Sequence, residues 1–171
     1  MRKSLSNMGA LLVLALGLTA GTVPARAGGP PATPVQPVLT GIHTAHAASA
    51  RADLVRFRFR PLAPTDVAAR YVPRSALVQD GSGLPVAVRG QSFVQVVFQG
   101  TAAHDENGRP TAPRNLFPVP GTTNVVQIRS GGDFEGVVTY FIGLRAPAPP
   151  TGVHPTVQCS GTEVTVAIPT R

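Results

Sequence analysis

Between residues 53 and 60 the chain alternates with period two: Val55, Phe57 and Phe59 fall on one side, Arg56, Arg58 and Arg60 on the other. Successive side chains of a strand point to opposite faces, so this run reads as a half-buried β-strand. A second run, residues 92–99 (SFVQVVFQ), has Phe93 and Val97 on one face and Val94, Val96 and Phe98 on the other. Apolar residues on both faces predict a central strand. Shorter strands are predicted at 39–42, 68–72, 76–79, 124–129 and 134–144, and the alternating segment 163–168 closes the series. Asp80-Gly81-Ser82-Gly83 reads as a turn from which 85–88 returns as a hairpin partner. Residues 100–123 form a long turn-rich loop, and 146–150 a proline break. No segment beyond the N-terminal stretch carries convincing helical periodicity, although the alanine-rich 44–52 suits one helical turn. Eighteen glycines and 18 prolines punctuate these runs, and both residues interrupt helix interiors. With 43% apolar and 13% charged residues, the chain can bury enough surface to fold rather than stay disordered. The expected fold is all-β, a single sandwich (or barrel) of roughly eight to ten short strands.

Residues 1–27 read as a secretory leader. Arg2 and Lys3 form a positive n-region, residues 8–20 (MGALLVLALGLTA) an apolar h-region, and Ala25-Arg26-Ala27 a small-x-small cleavage site. The apolar stretch falls short of the roughly 20 residues a bilayer crossing needs, and no later segment is long enough, so no transmembrane anchor is expected. Residues 28–38 (GGPPATPVQPV) carry four prolines and no charge and read as an extended linker. The folded domain is then 39–171.

The formal charge of +7 includes three basic residues of the leader. Its removal leaves twelve dispersed arginines, no lysine and eight acids, a net charge of +4. That distribution argues against nucleic-acid binding, which needs a dense basic face. An extracellular setting supplies other partners: anionic wall polymers, lipids or another secreted protein. Cys159 is alone, so no internal disulfide forms, and it lies far from the leader, so no lipid anchor is encoded. A monomer without cofactor or bound metal is expected.

Several constellations invite a functional reading beside a plainer one. Asp80-Gly81-Ser82-Gly83 has the residues of a serine-protease nucleophile segment in scrambled order and is no Gly-x-Ser-x-Gly elbow. Adjacent His104 and Asp105 would point apart on a strand, so a tight turn is preferred to a triad. His43 and His46 have a spacing that suits one helix face, with His104 and His154 available to complete a zinc set, but no cysteine or His-Glu-x-x-His string accompanies them. Asp105-Glu106-Asn107-Gly108 offers oxygen ligands for calcium or, more simply, an Asx-type turn. Asp133 and Glu135 have the spacing that places two carboxylates on one strand face, which suits glycoside hydrolysis or pairing with Arg109 or Arg129. The ladder of Arg56, Arg58 and Arg60 should be wet or meet an anion, because like charges are not lined up in a core. Guanidinium forks grip the carboxylates and phosphates of wall peptides and teichoic acids; cross-strand acids offer the plainer balance.

Several strings, in order, resemble the AMIN-like domain of secreted actinobacterial proteins. They are Leu39-Thr40-Gly41-Ile42, the aromatic strand anchored by Asp53, Asp80-Gly81-Ser82-Gly83 with Pro85-Val86, and Gly90 to Phe93. The more specific ones are Ala103-His104-Asp105 with Gly108-Arg109-Pro110-Thr111, and Gly132-Asp133-Phe134-Glu135-Gly136-Val137-Val138 running on to Gly143-Leu144. Arg58 stands where the family tends to carry an acid, and residues 153–168, with Cys159, diverge from it. The resemblance implies a β-sandwich related to AMIN domains, which attach wall amidases and similar proteins to peptidoglycan or the envelope. It implies binding without catalysis, and marks His104, Asp105, Arg109, Asp133 and Glu135 as candidate binding residues beside Arg56, Arg58 and Arg60. The expected function is a secreted, non-catalytic binding module at the cell envelope. The alternatives are an extracellular protein-binding or regulatory domain and a small wall hydrolase built on His104, Asp105, Asp133 and Glu135.

Overall fold

A computed structural model describes residues 35–170; the predicted leader, and the predicted linker up to residue 34, lie outside the described residues. Among the described residues nine strands form two antiparallel sheets. One sheet has the order β1 (Val38–Ala47), β2 (Ala52–Arg60), β9 (Glu163–Pro169), β8 (Thr156–Ser160). The other has the order β3 (Val67–Val72), β4 (Ser92–Gln99), β7 (Val137–Leu144), β6 (Val125–Phe134), β5 (Asn115–Leu116). Among the described residues there is no α-helix, only a 3₁₀ turn at Arg74–Ala76.

The alternation in β2 decides which way it faces. Val55, Phe57 and Phe59 are buried while Arg58 and Arg60 are exposed and Arg56 is half-buried. From the second sheet Phe98 and Tyr140 meet them: Phe57 lies 4.9 Å from Phe98 and 5.6 Å from Tyr140, and Phe59 5.2 Å from Phe98, centroid to centroid. These tilted and edge-to-face pairs tie the two layers across one core. Strand β4 is buried on both faces, as its sequence predicts, because residues 73–91 cross the outer side of its sheet. There Leu77 and Val88 cover Phe93 and Phe141 in a second, smaller core.

Four local expectations change. The alanine-rich segment after Ile42 continues β1 to Ala47 instead of turning helically. Residues 76–79 make only an isolated bridge, Val78 to Pro85. Strand β8 pairs with β9 in the divergent region where no strand was predicted. The run 134–144 is broken by a two-residue hairpin turn: Glu135 (φ 49°) and Gly136 (φ 76°) are both left-handed, and Phe134 pairs with Val137 across them. Two successive residues in that region form the turn whose twist matches antiparallel strands.

Candidate functional site

Strand β5 is only two residues long, pairing Asn115 with Arg129 and Leu116 with Ile128. Past that point the edge of β6 is bordered by loops, and a cleft of about 560 Å³ opens there. One wall is the loop between β4 and β5. Residues 103–111 fold back on themselves: Asp105 N–H donates to the Arg109 carbonyl at 2.9 Å and Thr111 N–H to the Ala103 carbonyl at 2.9 Å. Asp133, near the end of β6, holds this wall. Its Oδ2 accepts the Ala103 N–H at 2.9 Å and pairs with His104 Nδ1 at 2.5 Å. The other wall is the Gln79–Gly83 turn, pinned by the Asp80 N–H on the Gly131 carbonyl at 2.8 Å. Gly132 makes this contact possible, since a Cβ there would come within 2.5 Å of the Asp80 Cβ. One Asp80 carboxylate oxygen is buried with no hydrogen-bond partner.

Arg114, Arg129, Asn115 and Ser130 line the cleft, with Tyr140 beneath and Phe134 at its rim. Neither Arg114 nor Arg129 makes an ion pair among the described residues. The Tyr140 hydroxyl donates to the Pro113 carbonyl at 2.9 Å. Burial, and then the Asp133 charge, push its ionisation far above the usual phenol range, with Arg114 opposing. Tyr140 is therefore neutral at physiological pH, with its hydroxyl held on the Pro113 carbonyl.

The candidates named from sequence are dispersed. His104 and Asp133 line the cleft together. Asp105 braces the loop beside it: its Oδ1 accepts the N–H groups of Asn107 at 2.9 Å and Arg109 at 2.8 Å, an Asx-type turn. The Arg109 side chain is exposed on that loop and does not line the cleft. Glu135 sits in the hairpin turn, so it shares no strand face with Asp133. Arg56, Arg58 and Arg60 project from the opposite sheet. Glu163 across the strand lies 3.5 Å from Arg56 and 3.6 Å from Arg58, while Arg60 makes no ion pair among the described residues.

The histidines do not gather. Strand geometry places His43 opposite Arg56 and His46 opposite Asp53, on different faces of β1. His46 Nδ1 bonds to Asp53 at 2.9 Å. The His104 ring makes no hydrogen bond to a hydroxyl or thiol among the described residues; its partner is Asp133.

In the sequence Arg129 stands out only as a partner for acids, and nothing local marks Arg114, Asn115, Ser130 or Tyr140. The pairing of Asn115 with Arg129 that unites them depends on a two-residue strand inside a loop, and no period-2 signal marks it.

A family model described as the AMIN-like domain matches residues 37–166. No curated protein and no solved structure matches the chain. The matched region takes in both sheets and the whole cleft; the chain belongs to the AMIN-like domain family.

Proposed function

We propose that this protein is a secreted, non-catalytic binding module of the cell envelope, exported by the leader at 1–27 and spaced by the proline-rich segment that precedes β1. In this reading it holds an anionic wall polymer, peptidoglycan or a teichoic-type chain, in the cleft beside β5. The observation that carries the reading is the pair Arg114 and Arg129. Arg114 and Arg129 both line one cleft and neither makes an ion pair among the described residues, and guanidinium groups bind carboxylate and phosphate with two parallel hydrogen bonds. Family membership supports a wall-related binding role. No helix among the described residues is long and apolar enough to cross a membrane.

Co-sedimentation with purified cell walls tests this. The Arg114→Gln/Arg129→Gln variant should bind at least about tenfold more weakly, the loss of charged hydrogen bonds being worth roughly 1.5–3 kcal/mol each. The Arg56→Gln/Arg58→Gln/Arg60→Gln variant should keep its binding. Equal binding by the cleft variant and loss in the ladder variant would move the site to the opposite sheet. Absence of sedimentation together with capture of one secreted protein would favour the protein-binding alternative.

A further inference from the structure

The rim of the cleft adds a feature that a purely electrostatic anion site does not need. Phe134, the last residue of β6, is a large aromatic left 49% exposed. Its ring lies over Gly81: a Cβ built on that glycine would sit 3.2–3.3 Å from three ring carbons at once, a position over the ring face and not its edge. The supporting turn is itself fixed, with Gly83 N–H donating to the Gln79 carbonyl at 2.8 Å and Asp80 N–H to the Gly131 carbonyl at 2.8 Å. One face of the ring is thus backed by rigid backbone, and the rest of the exposed aromatic borders the cleft.

The neutral groups beside it are oriented as donors. Asn115 commits its side-chain oxygen to Gln127 at 2.7 Å, and Gln79 commits its own to the Ser82 hydroxyl at 3.1 Å. Their amide N–H groups have no acceptor among the described residues. Asp80 and Asp133 line the same cleft and would repel a chain of closely spaced acids.

We infer that the cleft accepts an anionic saccharide unit: the sugar ring stacks on Phe134, its carboxylate or phosphate meets Arg114 and Arg129, and its hydroxyls take the N–H groups of Gln79 and Asn115. This rests on the envelope-binding reading and narrows it to the glycan part of the wall, against the acidic peptide part.

Calorimetric titration of the purified protein with glucuronic acid, glucose 6-phosphate, chitotriose and tetraglutamate tests it. At least one anionic sugar should bind, tenfold or more tightly than neutral chitotriose and more tightly than tetraglutamate. Which one binds identifies a uronic acid or a sugar phosphate as the source. Phe134→Ala should weaken that binding about threefold to tenfold, and Phe134→Tyr should restore it to within twofold, with unfolding midpoints measured for both. Comparable binding of chitotriose, tightest binding of tetraglutamate, or an unchanged Phe134→Ala constant would overturn the inference. If no sugar binds while the protein still sediments with walls through Arg114 and Arg129, the saccharide inference falls and the envelope reading stands. Loss of wall sedimentation itself removes the latter.

Discussion

The carboxylate of Asp53 accepts the backbone N–H of Val125 at 2.9 Å, and with it those of Asn124 at 2.7 Å and Thr123 at 3.1 Å. Asp53 belongs to β2 of one sheet, and residues 123–125 lead into β6 of the other, so a fully buried charge joins the two layers. His46 Nδ1 adds a further contact at 2.9 Å. The Thr123 hydroxyl approaches that same ring nitrogen at 3.5 Å. Carboxylate and hydroxyl therefore meet the same ring nitrogen.

Replacing Asp53 by alanine leaves three backbone N–H groups without their acceptor. The expected cost is about 3 kcal/mol or more, since each stranded buried donor costs roughly 1–3 kcal/mol. Asp53→Asn keeps one oxygen and should cost less than alanine. Urea unfolding of the two variants checks the order and the size.

The same carboxylate sets a pH limit. Burial alone would raise its pKa, but the N–H groups of Val125, Asn124 and Thr123, with His46, outweigh this and hold it below the ordinary 3.8. A folded-state pKa lower than the unfolded one gives stability that is fully present above about pH 4 and is lost as pH falls through the folded value. Unfolding free energy should therefore drop below about pH 4 in the native protein. In Asp53→Asn that portion of the pH dependence should be missing.

Gly143 in β7 marks a close backbone crossing. A Cβ there would lie 1.8 Å from the Arg89 carbonyl oxygen, an impossible distance, so Gly143→Ala must displace the segment that covers Phe93 and Phe141. Overpacking of this kind costs typically about 1–3 kcal/mol. A lowered thermal midpoint with unchanged strand content by circular dichroism is the expected result.

Much of the framework was legible because it rests on local pattern. Phe57 and Phe59 announce their burial by alternating with arginines, and β4 announces its central place by being apolar on both faces. The hairpin at Glu135 was not legible, because a left-handed glutamate is an uncommon choice that only its glycine neighbour hints at. The segment that became β8 has Thr156, Gln158, Cys159 and Ser160 exposed, so pairing with β9 rather than any apolar signal makes it a strand. The cleft was the least legible of all. His104 and Asp133 stood out through family strings, but Arg114 and Arg129 acquire meaning only when a loop returns to place their backbones side by side.

The arginine ladder on the opposite sheet should contribute little to stability. Glu163 bridges Arg56 and Arg58 at a partly exposed surface, where such pairs are worth up to about 1 kcal/mol and weaken with salt. Glu163→Gln should lower stability by no more than that at low ionic strength, and by less at 1 M salt. Urea titrations at the two salt concentrations measure the difference.

His104 separates the binding and hydrolytic readings. Its ring and the Ala103 N–H are both held by Asp133, so His104→Ala removes one of two anchors of the cleft wall and leaves the other. A loss of about 1 kcal/mol in stability is expected, the net worth of one such bond. Wall binding should weaken, because the loop that frames Arg114 and Arg129 is less fixed. Release of soluble wall fragments should be undetectable for the native protein and the variant alike. Fragment release by the native protein that disappears in His104→Ala at a wall concentration where the variant still binds would instead favour a hydrolytic role for the His104–Asp133 pair.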